Sequence, residues 1–284
     1  MENCFAQEIQ GKPYFGQESP GATPKVFAPG FISLTDQHEF GSIFSKNGTE
    51  FYFGVDRNGK SETLYTQLKE GSWTEPELLL SHAKYGYNDP MLNPDEQELY
   101  FISDRPINGN GGKKDIDIWY VRKEGSGWSE PINPGNSINT TSNEYYISFT
   151  ASGRMYFASN NRASRDRNYD FDIYYSDRID TEYQEPVKLP PSINSEHYEA
   201  DVFVAPDESY LIFCANRPDG LGRGDLYISF QNGNSWSEAK NMGSPVNDGL
   251  HQLCPFVSAD GKYLFYTSNG DIYWVEANII ENYR

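Results

Sequence analysis

Five copies of one motif run along this chain, and their period constrains the fold before any single residue does. In register, the copies are marked by the aromatics Phe53, Phe101, Phe157, Phe213 and Tyr266, spaced 48, 56, 56 and 53 residues apart. Self-similarity at a period near 50 is the mark of a propeller or solenoid. Each copy offers four strand candidates. The first runs through 40–45, 90–93, 145–150, 201–205 and 254–258. A tight turn follows at Asn47-Gly48, Asp95-Glu96, Ser152-Gly153, Asp207-Glu208 and Asp260-Gly261. The glycine of such pairs supplies the positive φ that a short hairpin needs. The second strand leads to the marker aromatic. The third begins at Leu64, Ile118, Ile173, Leu226 and Ile272, and the fourth carries Trp73, Trp128, Tyr183 and Trp236. Runs rich in Tyr, Phe, Ile and Val, bounded by Gly, Asn and Asp, are strands.

The fifth copy lacks its fourth strand. The segment Thr23-Pro24-Lys25-Val26-Phe27-Ala28-Pro29 resembles the fourth-strand segment Thr74-Glu75-Pro76-Glu77-Leu78-Leu79-Leu80. An N-terminal strand that completes the last blade closes the ring and removes its open edges. The expectation is an all-β fold: a five-bladed propeller of four-stranded antiparallel blades, closed by that strand. Residues 1–22 form a lead-in tail and 23–284 a single domain. Its repeats fall near 37–84, 85–140, 141–192, 193–246 and 247–284 plus 23–33.

The chain resembles the PD40, or WD40-like, repeats of the TolB family. The residues that carry the resemblance are Asn93-Pro94-Asp95-Glu96, Tyr100-Phe101-Ile102-Ser103-Asp104-Arg105 and Asp117-Ile118. It spans roughly 37–284, and its weight comes from five copies together. It implies a bacterial, exported propeller, periplasmic or secreted, that serves as a binding platform. TolB itself has six blades and an additional N-terminal domain, so its own role is not carried over.

Composition narrows the partners. A formal charge of -18 argues against nucleic acid and anionic membranes as partners, because phosphate binding relies on cationic patches. No apolar run is long enough for a membrane-spanning helix. Phe5-Ala6-Gln7 reads as the remnant of a secretory signal. Of three cysteines, Cys214 and Cys254 fall on strands in adjacent repeats and are expected as buried thiols. The protein is expected to be a monomer.

In a propeller the loops joining second to third strands, and blade to blade, share one face. At the start of the innermost strands the repeat places Glu39, Tyr87, Glu144, Glu199 and Gln252, and two positions on come Gly41, Asp89, Tyr146, Asp201 and Cys254. His38, His197 and His251 lie beside them. Several carboxylates around one axis call for a metal, a cationic ligand or arginine between them. The arginines are present: Arg57, Arg105, Arg162 and Arg217 recur at the ends of second strands. The glutamates therefore read either as a ligand site or as framework ion pairs repeated blade by blade. The residues that break the repeat are the better candidates for binding: Tyr87, Asp89, Tyr146, His197, Asp201 and His251. The recurring Asp117, Asp172, Asp225 and Asp271 read as turn caps.

Unequal loops at 106–114, 163–169 and 218–224 add basic residues to this face, which reads either as recognition of an anionic group on the partner or as local neutralisation of an acidic chain. The favoured reading is a non-enzymatic platform for a protein segment or glycan, with no cofactor required. The alternative is a glycoside hydrolase using Glu39, Glu144 and Glu199, since paired carboxylates serve that chemistry. A third reading places Ca2+ or another cation in the channel as a plug. Serine hydrolase and zinc peptidase chemistry have no motif here.

Overall fold

Short runs of aromatic and β-branched residues, punctuated by turns that demand positive φ, leave antiparallel hairpins as the accessible local structure. A computed structural model describes residues 13–160 and 170–284 and shows five such hairpin-based sheets. Blade 1 comprises His38–Phe44, Glu50–Arg57, Lys60–Lys69 and an outer strand Glu77–Leu80. Blade 2 comprises Asn88–Leu92, Glu98–Ser103 and Asp117–Glu124, with an outer bridge from Tyr120 to Ile132. Blade 3 is Glu144–Phe149, Met155–Asn160, Phe171–Ser176 and Val187–Lys188. Blade 4 is Tyr198–Val204, Tyr210–Asn216, Asp225–Asn232 and Lys240–Asn241. Blade 5 is Gln252–Val257, Tyr263–Ser268 and Asp271–Glu276, and its outer strand is Lys25–Val26 from the other end of the chain. Each innermost strand touches the next around the ring, including the last against the first, so the propeller is closed.

The hairpin turns follow the chemistry of their residues. Gly48, Gly153 and Gly261 take positive φ, and Glu96 and Glu208 adopt the same conformation where the repeat has no glycine. The outer edge differs in one respect from expectation. Trp73, Trp128, Tyr183 and Trp236 do not lie on the fourth strand proper. They pair in two-residue strands with the far end of the third strand, or, for Tyr183, with Arg178 in a separate small hairpin. Pro76, Pro131 and Pro186 follow within three residues, and a proline cannot donate to the ladder, so the edge is broken in two.

Second strands are buried on both faces, as in Glu98–Ser103 and Met155–Asn160, because blades pack face to face on either side. The register aromatics Phe53, Phe101, Phe157, Phe213 and Tyr266 are no more than 2% exposed. An amide recurs between blades. Asn139, Asn194 and Asn247 each accept from the backbone N–H and donate to the carbonyl of one third-strand residue, Ile118, Ile173 and Leu226 respectively. One side chain thus satisfies two buried backbone groups. Cys214 and Cys254 are buried free thiols, as expected.

Candidate functional site

The glutamate position proves to be a staple between each innermost strand and the loop that precedes it. Glu39 accepts from the Leu34 N–H at 3.2 Å. Glu144 accepts from the N–H and hydroxyl of Thr140, and Glu199 from the N–H and hydroxyl of Ser195. Gln252 does the same work with an amide, accepting from Asp248 N–H and donating to the Asp248 carboxylate at 2.6 Å. All four side chains are fully buried. Burial raises the carboxyl of Glu39 to about 7 and raises that of Glu199 against the pull of Ser195 and Arg217.

The arginines divide. Arg217 donates Nε to Glu199 at 2.9 Å and Nη2 to the Ile193 carbonyl, the expected framework pair. Arg57 instead donates to Gln37 at 2.7 Å. Arg162 lies outside the described residues. Among the described residues Arg105 pairs with no carboxylate: in blade 2 the framework glutamate is replaced by Tyr87, and Nε and Nη1 of Arg105 are buried without an acceptor. Its guanidinium is stacked over Trp119, 4.6 Å from the ring centroid, with Tyr87 at 6.0 Å on another side. Of the recurring aspartates, Asp225 caps its turn by accepting from Leu221 and Gly222 N–H. Asp117 and Asp172 instead pair with Lys114 and Lys188. Lys114 lies in the turn before Asp117 and Lys188 on the outer strand of blade 3, and each draws its carboxylate away.

Two residues further along, every innermost strand carries a bulge. Gly41, Asp89, Tyr146, Asp201 and Cys254 all have φ between 40° and 53°, and strand register shifts at each. A bulge re-aims a side chain and bends its strand. Left-handed backbone in non-glycine residues costs on the order of 1 kcal/mol or more each, and such positions concentrate at functional sites. Here the bulges bring blades across the axis. Cys254 Sγ lies 3.9 Å from Asp89 Oδ1, and the Tyr146 hydroxyl donates to the Pro255 carbonyl at 3.0 Å. Asp89 and Asp201 are 7% and 6% exposed, and among the described residues no cationic side chain pairs with either. Burial raises Asp89 to about 8, the neighbouring Asp201 adding to the effect, and raises Asp201 to about 7. Burial and both aspartates likewise push the Cys254 thiol up. These buried side chains pack against one another across the axis of the ring. Among the described residues, no three His, Cys, Asp or Glu side chains are placed to hold a metal ion.

Asp89, Tyr146 and Asp201, singled out in the sequence, are thus brought together. Gly41 and Cys254 belong with them, and their identical register position was the available signal. The other candidates lie apart. His251 sits with Nε2 3.6 Å from the Cys214 sulfur, its imidazole lowered by burial and by Arg223. His197 is half-buried on the loop face, its backbone N–H bonded to Ser195. At the opposite end the channel mouth is apolar, a cavity of about 120 Å³ lined by Ile43, Met91, Phe149, Phe203 and Phe256, one from each blade.

No family model and no curated protein matches this sequence. Solved structures do. A thermostable family-43 glycoside hydrolase aligns with TM-score 0.56 at 15% identity, over 87% of this chain and 90% of that one. TolB from Acinetobacter baumannii aligns with TM-score 0.51 at 12% identity over 84% of this chain. A Mycobacterium tuberculosis puromycin-hydrolyzing peptidase gives 0.50 at 12% identity over 83%. The chain spans 54% of TolB and 35% of the peptidase. At such identities the likeness is one of fold: the chain is a β-propeller similar to TolB and to propellers that serve enzymes.

Proposed function

We propose that the protein is an exported, non-enzymatic binding propeller that recognises a protein segment or glycan on its loop face. The observation that carries this reading is the fate of the three glutamates. A glycosidase needs one carboxyl free to protonate a leaving group and a second free to attack or to activate water. Glu39, Glu144 and Glu199 are instead fully buried and hydrogen-bonded to their own blade-to-blade loops. What differs between blades is the loops, and variable loops on a rigid scaffold carry recognition. Exposed apolar side chains at Ile107, Leu221 and Leu250 lie on these loops. Among the described residues, no helix is long and apolar enough to cross a membrane.

A thermal-shift screen against a glycan panel, with turnover measured on every hit, tests the proposal. Stabilisation without product is the expected result. Turnover that disappears in Glu144→Gln or Glu199→Gln, with the fold intact, would replace it with the glycosidase reading.

A further inference from the structure

We infer that Arg105 is the anchor of an oxyanion subsite in blade 2, built to take the carboxylate of an acidic saccharide; the inference rests on the binding reading above. The repeat is broken in blade 2. In blade 4 the arginine at this position serves the framework through Glu199. In blade 2 the glutamate has become Tyr87, yet the arginine remains, its guanidinium over the Trp119 ring. A guanidinium whose Nε and Nη1 lack acceptors is an unfavourable thing to bury, and a planar oxyanion is the partner its fork geometry fits.

Its surroundings point the same way. The glycine-rich strap 106–112 passes over the guanidinium: a Cβ on Gly109 would stand 3.1 Å from Arg105 Nη2, and Gly109 holds φ +66. The strap is pinned by its Gly111 carbonyl, which accepts from Lys84 Nζ and from the Tyr85 hydroxyl. Both contacts are made to one backbone oxygen, and among the described residues Lys84 pairs with no carboxylate, so its ammonium is open to a ligand oxyanion. Beside the strap lies a groove of about 350 Å³ between blades 1 and 2, lined by Lys60, Lys84, Lys113, Ser61, Asn88 and Asp104, with Lys113 paired to Asp104 at 2.8 Å. Three ammonium groups, a hydroxyl and an amide thus stand beside one carboxylate that a lysine already neutralises. That lining suits a polyhydroxylated ring bearing a carboxylate better than an apolar peptide anchor.

The test is calorimetric binding of trigalacturonate, galactotriose and triglutamate to the full chain. The acidic sugar is expected to bind about tenfold or more tighter than the neutral one, the scale of a charge-assisted pair. Arg105→Gln should remove that advantage, Arg105→Lys should restore part of it, and Lys113→Ala should weaken it. Arg105→Gln should also melt no lower than the parent, because it loses no acceptor, whereas Arg217→Gln should melt lower. Equal affinity for the two sugars, indifference to Arg105→Gln, or no binding of any probe overturns the subsite. Triglutamate binding with the same dependence on Arg105 overturns the saccharide assignment. Cleavage of trigalacturonate would sink the non-enzymatic reading while leaving the subsite. A neutral glycan that binds independently of Arg105 would do the reverse.

Discussion

Asp89 rests its carboxyl against the α-carbon of Gly41. A Cβ at position 41 would lie 2.5 Å from Asp89 Oδ1 and 3.0 Å from Asp89 Cα, and Gly41 itself has φ +48. Blade 1 therefore makes room for the side chain that blade 2 sends into the channel. Gly41→Ala combines overpacking with left-handed strain, and is expected to cost about 2–4 kcal/mol in urea denaturation. A loss under 1 kcal/mol would mean that this cluster is loosely packed.

The buried aspartates set a pH dependence of definite sign. Their folded-state values, about 8 for Asp89 and about 7 for Asp201, stand above the ordinary aspartate value near 4. The folded chain holds protons there that the unfolded chain releases. Their contribution is therefore fully present below about pH 4 and is lost as pH rises through about 8. Asp89→Asn, which keeps the shape and cannot ionise, is expected to raise the melting temperature at pH 8.5 relative to the parent and to leave it nearly unchanged at pH 4.5. A variant that melts lower by the same amount at both pH values would show that the carboxyl is engaged as an anion.

Glu199 and Arg217 form the framework pair in its complete form, with both groups mostly buried. Glu199→Ala leaves the guanidinium without its anion and frees the Ser195 loop, at an expected cost of about 3–5 kcal/mol. Glu199→Gln should be milder, since Gln252 already fills the equivalent place in blade 5. A double-mutant cycle with Arg217→Gln checks this; a coupling near zero would remove the pair from the framework.

How much of this was legible in the sequence depends on the kind of signal. Blade count, hairpin turns and ring closure are local patterns repeated five times, and each copy corrects the others. The bulge was written only as a column of unlike residues, Gly41, Asp89, Tyr146, Asp201 and Cys254. Its left-handed backbone is imposed by ring geometry, since Tyr146 and Cys254 adopt it as readily as Gly41, Asp89 and Asp201 although neither residue type favours it. The glutamates misdirected attention for a related reason: residue type and register place them at a channel mouth, whereas Thr140, Ser195 and Asp248, four residues earlier, turn them into staples. That spacing, together with the preceding Asn139, Asn194 and Asn247, is a legible motif that becomes meaningful once the loop is seen to fold back. Asn247→Ala is expected to strand the N–H and carbonyl of Leu226 and to cost about 2–4 kcal/mol in the same denaturation assay.

Phe27 ties the two ends of the chain into one blade, and the last prediction concerns it. Its N–H donates to the Ile272 carbonyl at 2.7 Å, just beyond the pairing of Lys25 and Val26 with Trp274 and Tyr273. Its ring is fully buried, 5.0 Å from Phe265, 5.2 Å from Trp274 and 5.5 Å from Phe51, so it touches blades 5 and 1 at once. Phe27→Ala should cost about 3–5 kcal/mol, as for other large aromatic truncations in a packed core. Deleting residues 13–29 should do more than weaken the fold. It uncovers the edge of Asp271–Glu276, whose middle is the apolar run Ile272-Tyr273-Trp274-Val275, and leaves backbone groups unpaired as a template for association between copies. Light scattering on the truncated chain should show aggregation at concentrations where the parent stays dispersed. A truncated chain that remains dispersed and melts cooperatively at the parent temperature would show that the ring closes without its N-terminal strand.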